Sequence, residues 1–384
     1  MFTIETTSDI AELLSNADAW NRLSRGVPFR ETSWLGAWWE AMNGGRQAYV
    51  LVARDSDGNM RGLLPLYQYG PGVLAMIGDG EACTDHVSVL ADEADAAEVG
   101  FAMGMHLAKS ASDANWGWEV IDIDGVVEGD EPMSALASGL KKGGATLHAQ
   151  SRMSVWYRAA DTSWDEHLKR HGKTQRRQMR RWADQLKTME KVVATSDAEV
   201  DELLGFVIEM HQRRWVAAGE AGSFANESFR SFMIETAKQF LSRDQLYLAV
   251  LKHEGTPIAG ELKFIGGNKV LYSYSAGYDI NFAELEPGRL MCIDGLLEIY
   301  ERGFVGLDFM RGDETYKSRY STESHRLFRM RAVAPTLMPR LRHAAWCTGF
   351  ELKQWVRRQS GRPVIVVQDP TSLATINLPV SPNA

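Results

Sequence analysis

The sequence predicts a mixed α/β chain, its sheets mixing parallel and antiparallel strands, organised as two similar domains in tandem. Three observations predict it. The 384 residues are too many for one ordinary core and suit two domains of roughly 150–190 residues each. A helix followed by a strand–turn–strand pattern occurs twice with matching spacing. Later in each half a strand-like segment is followed by a helical stretch.

The repeated stretches run from Tyr49 to Gly78 and from Tyr247 to Gly277. In each, an apolar strand opens at a tyrosine, a glycine-containing turn follows, and a second strand begins with glycine. The offset from Tyr49 to Gly62 equals that from Tyr247 to Gly260. β-Branched and aromatic residues around Asp-Gly or Glu-Gly-Thr-Pro read as hairpins. A helical segment precedes each copy, 33–42 in the first and 229–241 in the second. Identical spacing on both sides of the turn favours duplication over chance.

Further along, strand-like 119–125 parallels 306–313. Before the latter, 282–303 reads as a loop and then a helix with Pro287 and Gly288 at its start. Leu290, Ile293, Leu296, Leu297 and Tyr300 share one face of it at helical spacing. A helix is also expected around 174–191, with Met179, Trp182, Ala183, Leu186 and Met189 on one face. The resulting expectation is an N-terminal domain over 1–160, a C-terminal domain over 161–335 holding the working site, and a helix and tail over 336–384. The last twenty residues are expected to be poorly ordered.

Composition bounds the function. Apolar residues make up 45% and charged residues 24%, the balance of a packed globular chain. Three cysteines, Cys83, Cys292 and Cys347, share no metal-ligand spacing and suggest no disulfide framework. No His/Cys cluster points to a metal, and no Gly-x-Ser-x-Gly or Cys/His pattern points to covalent catalysis. The acidic start lacks a signal-peptide pattern, and no apolar run reaches the ~20 residues needed to span a bilayer. A cytoplasmic location is the expectation, with peripheral membrane contact left open.

Charge is divided unevenly. Residues 1–160 carry 11 Lys/Arg against 22 Asp/Glu, and 161–384 carry 31 against 28. A polyanionic ligand is therefore expected in the second half. Between Lys169 and Lys191 lie nine basic and two acidic residues, either a solvated face or a contact for CoA phosphates, a tRNA arm or anionic lipid. The segment 337–363 has six Lys/Arg to one Glu and three aromatics. It reads as a surface helix packed on the body or as an interfacial membrane helix, packing being the preferred reading.

The segments 273–279 (SYSAGYD), 286–291 (EPGRLM), 308–313 (DFMRGD) and 314–320 (ETYKSRY) resemble the CelD/BioF-like acetyltransferases. Those are relatives of the Fem-type peptidyltransferases within the GNAT superfamily. Residues 174–186 and 209–224 fit the same pattern, and 33–39, 62–67 and 80–90 fit it more weakly. The resemblance covers most of 20–335. It implies two GNAT-like acyltransferase domains, the second holding acyl donor and amine acceptor. The usual pyrophosphate pattern of the superfamily is not present as written; its nearest match is Glu286-Pro287-Gly288-Arg289.

Site residues follow from chemistry and resemblance together. A helix start offers N–H groups and a dipole to a diphosphate, which makes Pro287, Gly288, Arg289 and Leu290 the donor-binding candidates; an ordinary Pro-Gly helix start is the alternative. The resemblance implies a tyrosine after the strand at 306–313 that protonates the departing thiolate, and Tyr316 is the choice, with Tyr320 second. Asp308 and Glu261 are candidate bases for the attacking amine. Asp313 and Lys317 stand one turn apart and either pair with each other or bind acceptor or donor. His211, Arg214 and Trp215 either line the acceptor pocket or belong to a packed helix.

The function expected is transfer of an acyl group from an acyl-CoA co-substrate, acetyl-CoA first, to a primary amine on a small molecule or glycan, as the resemblance suggests in surface polysaccharide formation. The alternatives are Fem-type transfer from aminoacyl-tRNA and a non-catalytic partner of a polysaccharide synthase that kept the fold.

Overall fold

The computed structural model describes residues 2–217, 219–362 and 364–372. They form two compact units, one holding the residues up to Val155 together with those from His325 onward, the other holding Trp156–Ser324.

In chain order the elements are β1 (Thr3–Thr7), α1 (Ile10–Ser15), α2 (Ala17–Leu23), α3 (Thr32–Met42), β2 (Ala48–Arg54), β3 (Met60–Gly70), β4 (Val73–Met76), β5 (Leu90–Ala91), α4 (Ala96–Ser110), β6 (Val120–Val127), α5 (Glu131–Lys142) and β7 (Thr146–Ala159). Then come α6 (Trp164–Lys169), α7 (Lys173–Leu186), β8 (Glu190–Val193), α8 (Asp197–Ala217), α9 (Glu227–Leu241), β9 (Leu246–His253), β10 (Thr256–Ile265), β11 (Val270–Tyr278), α10 (Pro287–Glu301), β12 (Gly306–Arg311), α11 (Thr315–Tyr320), β13 (Glu323–Val333), α12 (Leu337–Gln359) and β14 (Val366–Gln368).

In the first unit β1 to β4 form an antiparallel meander, β4 pairs parallel with β6, and β13 pairs antiparallel with β6. Alternation places Ile121 and Ile123 in the core with α4 and α5 and turns Asp122 to the other face, where Arg329 and Arg331 pair with it. Strand β13, expected within the second domain, places residues from His325 onward in this unit. Helix α12, set apart in the sequence as a helix and tail, also packs in it.

The second unit repeats the plan. Strands β8 to β11 are antiparallel neighbours, and β12 lies parallel to β11. Leu290, Ile293 and Leu296 of α10 are fully buried with Tyr247, Ala249 and Leu251 of β9 and with Met179 and Trp182 of α7. The other face carries α8, whose Val207 and Met210 lie against Gly260 and Gly277. Neither glycine has room for a Cβ, which would approach Val207 or Met210 to 2.7 Å.

The architecture is therefore α/β, each unit carrying an antiparallel meander followed by a parallel strand pairing. The repeat holds for topology but slips by one residue in detail. Tyr49 and Tyr247 both face the helix after the meander, their hydroxyls donating to Trp116 O at 2.9 Å and to Asp294 Oδ2 at 2.7 Å. Gly62, however, pairs with Ala53 and lies against Val99 of α4, whereas Gly260 pairs with Val250 and faces α8. Each hairpin carries one single-residue bulge, so the slip comes from the turns, residues 55–59 in the first and 254–255 in the second.

Two elements differ from expectation. Helix α7 stops at Leu186, so Met189 and Lys191 lie beyond it, the latter on β8. Within the tail expected to lack order, Val366–Gln368 pair with Ala149–Ser151 of β7. The remainder of that expectation falls on 373–384, outside the described residues.

Candidate active site

The site is set by where two strands part. Strands β11 and β12 pair only at Val270–Gly306, Leu271–Leu307 and Tyr272–Asp308. Beyond that point β11 runs on to Tyr278 and β12 to Arg311 without partnering each other. Asp308 is buried, and its Oδ1 accepts the Met310 N–H at 2.7 Å. Met310 holds a left-handed φ of 58°, a conformation costly for a residue with a Cβ. The parting of the strands is thus fixed locally by a side-chain-to-backbone bond.

After β11 a 3-10 turn leads to α10. Its N-cap, Glu286, is also left-handed, φ 53°. Three partners hold that strained residue: Trp182 Nε1 donates to Oε2 at 2.9 Å, Arg181 donates to the same oxygen, and Arg289 Nε stands 3.2 Å from Oε1. Arg289 also lies over the Trp182 ring, 5.1 Å from its centroid. In the first turn Pro287 has no N–H, while the Arg289 and Leu290 N–H groups already bond the Glu286 carbonyl. The sequence expectation of several free N–H groups here narrows to that of Gly288. A Cβ on Gly288 would meet only the Tyr278 ring, at 3.5 Å.

Beside this helix start lies a cavity of about 630 Å³. Arg158, Arg170, Arg289 and Arg319 line it, with Trp182, Tyr320 and several hydroxyl and amide side chains, and no carboxylate among the described lining residues. Arg158 is 2% exposed; its Nη2 binds Asp161, which Arg170 also binds, and its Nε finds no partner. A buried guanidinium with an unused donor and three further arginines suit an anion with several oxygens. His171 lines the same wall and stays neutral, its pKa lowered by burial and by Arg158.

Tyr316 stands on α11, 45% exposed and edge-on to Phe309, ring centroids 6.3 Å apart. Its phenol pKa is raised, first by desolvation, then by Cys292, Glu261 and Glu314, with Arg214 opposing. The phenol is neutral across the ordinary pH range, and Arg214 of α8 is near enough to act on it. Tyr320 is likewise raised by burial and by Cys292.

Glu261 is buried on β10. Lys263 Nζ sits 2.7 Å from its Oε2 and Ser273 donates to its Oε1. A carboxylate so engaged is costly to free. Lys317 is buried too, donating to the Arg311 carbonyl at 2.6 Å and pairing with Glu314 at 3.1 Å. Asp313 precedes α11, so the one-turn helical relation expected between Asp313 and Lys317 is not formed. His211 accepts the Trp215 indole N–H at 2.9 Å and packs edge-on against Phe224. Neither His211 nor Trp215 lines the arginine cavity.

The structure therefore brings Arg289, Tyr316 and Glu261 to one region around Cys292 and sets His211 and Trp215 on the α8 face. Sequence reasoning named Glu286 only within the Glu286–Arg289 stretch and missed Arg158, Arg170 and Arg319, which no shared motif marks. Among the described residues no group of three or more His, Cys, Asp and Glu is placed to hold a metal.

Residues 170–318 match the family model described as acetyltransferase (GNAT) domain. Three solved structures share the fold over nearly the whole chain. FemX is 13% identical, covering 85% of this chain and 96% of its own, at a TM-score of 0.57. A conserved protein of unknown function from Bacteroides thetaiotaomicron is 12% identical over 87% and 100%, at 0.55. The C-terminal domain of a protein titled as a lysylphosphatidylglycerol synthetase from Agrobacterium fabrum is 11% identical over 83% and 91%, at 0.51. No curated protein matches this sequence.

Proposed function

We propose that the second unit, whose residues 170–318 match the acetyltransferase (GNAT) domain model, transfers an acyl group from acyl-CoA to a primary amine. The observation that carries this reading is the arginine-lined cavity beside the start of α10 and the parted strands β11 and β12. CoA brings a diphosphate and a 3′-phosphate, and this cavity presents four guanidinium groups, Arg158 and Arg170 braced by Asp161 and Arg289 by Glu286.

In this reading Arg158, Arg170, Arg289 and Arg319 hold the phosphates, and Gly288 lets the donor pass close to the helix start. The thioester reaches between the parted strands, where the amine nitrogen attacks its carbonyl carbon. A C–N bond forms, the C–S bond breaks, and Tyr316 gives its proton to the departing thiolate. The phenol is neutral at ordinary pH and so carries the proton that this step needs. The amine's proton passes to solvent or to a nearby carboxylate. Glu261 and Asp308 act mainly as positioning residues because both are engaged by their own chain. The acceptor approaches from the α8 side, past Arg214. An amino sugar or amino acid is the acceptor class, with acetyl the first acyl group to test.

One observation favours a second reading. Helix α7 turns Arg177, Arg180 and Arg181 outward, a face that suits a longer polyanion such as the arm of an aminoacyl-tRNA. Incubating the protein with acetyl-CoA and a panel of amino sugars and amino acids, with free thiol as the readout, tests the main reading. Amine-dependent thiol release supports it. Salt-sensitive tRNA binding without thiol release supports the second. Neither result would leave a non-catalytic role.

A further inference from the structure

The C-terminal helix of the first unit carries a face that the described residues leave uncovered. Helix α12 turns Pro339, His343 and Gln354 inward. On the same side Trp346 and Phe350 are half-buried, stack on each other with centroids 5.5 Å apart and pack edge-on against His148 of β7. The opposite side gathers Leu337, Met338, Leu341, Leu352, Trp355 and Val356 into an arc of about 100° at helical periodicity. These six are 50–71% exposed. No charged residue falls inside the arc.

Both edges of the stripe carry exposed cations, one of them beside exposed Glu351. Arg342 and Lys353 follow one edge, Arg340 and Arg358 the other. Arg342 keeps its stem at the surface while pairing with Glu119, and Arg340 donates to the Gly144 carbonyl at 2.6 Å. Glu351 is the single acidic residue of the helix. No helix among the described residues is long and apolar enough to cross a membrane. An apolar arc opposite a docked face, bordered on each side by cations on long stems, matches the boundary between acyl chains and anionic headgroups.

We propose that α12 is a peripheral docking surface for an anionic lipid bilayer, laying its apolar stripe at the acyl boundary with its edge cations among the headgroups. The inference stands on the first unit alone and does not depend on the donor assigned to the second. It sets the chain at a membrane surface.

Flotation of the full chain with vesicles tests it, using phosphatidylcholine alone and an equimolar mixture of phosphatidylcholine and phosphatidylglycerol. The expected result is flotation with the mixed vesicles, little with phosphatidylcholine, and weakening as salt rises. Leu352→Glu with Trp355→Glu should reduce the bound fraction at least ~tenfold, and Lys353→Gln with Arg358→Gln should weaken it on mixed vesicles. Both pairs are exposed, so unchanged circular dichroism and melting are expected; Leu352→Gln with Trp355→Gln replaces the first pair should it melt early. Failure of the parent chain to float, or equal flotation of the stripe variant, overturns the proposal. So does a parent that dimerises through the stripe without floating, or that floats only after removal of 373–384, because either names a protein occupant instead.

Discussion

Asp308 accepts the backbone N–H of Met310 at 2.7 Å, and Met310 is left-handed at the point where β12 leaves β11. Those two residues make the separation of the strands a local property of the chain. Asp308→Ala should cost about 1–3 kcal/mol by leaving a buried donor without its acceptor, read as a lower melting temperature. Asp308→Asn keeps the acceptor and should retain most of the stability and turnover. Normal melting with abolished turnover in the Asn variant would instead make Asp308 the base.

Gly288 separates folding from ligand approach. Its Cβ would meet only the Tyr278 ring, at an ordinary 3.5 Å, and alanine is the better helix former by about 0.5–1 kcal/mol. Gly288→Ala should therefore melt no lower than the parent while binding acyl-CoA at least ~tenfold more weakly through the lost close approach. Unchanged affinity in calorimetry would remove the helix start from the donor site.

Tyr316 is held neutral by desolvation, Cys292, Glu261 and Glu314. Tyr316→Phe should slow thiol release at least ~tenfold and leave acyl-CoA affinity intact, because the phenol is asked for a proton only as the C–S bond breaks. With its pKa raised, the parent should show no loss of rate from phenol ionisation on the alkaline side up to the ordinary tyrosine range. Unchanged turnover in the variant excludes Tyr316 from the reaction, and Tyr320 becomes the next candidate.

The arginine wall has an acid-sensitive support. His167 is fully buried, bonded to Tyr300 at 2.9 Å, and its pKa is pushed down to about 3 by burial and by Arg158. The unfolded chain takes up this proton near pH 6.5 and the folded chain only near 3. Stability from this group is complete above about pH 6.5 and falls with the pH below it, by about 2 kcal/mol at pH 5. Denaturant titrations at both pH values should show a smaller loss for His167→Gln than for the parent. Equal losses would contradict the assignment.

Much of the second unit was legible in the sequence because its elements carry strong patterns. The apolar face of α10 from Leu290 to Leu296 lies where periodicity put it, and the strand expected over 306–313 runs over Gly306–Arg311. Pro287 and Gly288 marked the helix start correctly, but not that Arg289 and Leu290 already spend their N–H groups on Glu286. The arginine cavity was illegible because Arg158, Arg170, Arg289 and Arg319 come from four separate segments and meet only in three dimensions. The acidic and basic spacing at Asp313 and Lys317 misled because α11 begins two residues too late to hold both. Lys191 looked like one more surface cation of a helix; on β8 it closes a buried network with Asp294 and Glu298, each at 2.8 Å.

The donor site stands or falls on calorimetric titration of the purified chain with acetyl-CoA and longer acyl-CoAs, repeated with Arg289→Ala and Arg158→Gln. At least one acyl-CoA should bind at micromolar concentration, weakened at least ~tenfold in each variant by loss of a charge-assisted contact. No heat with any acyl-CoA, or binding indifferent to both arginines, would contradict it.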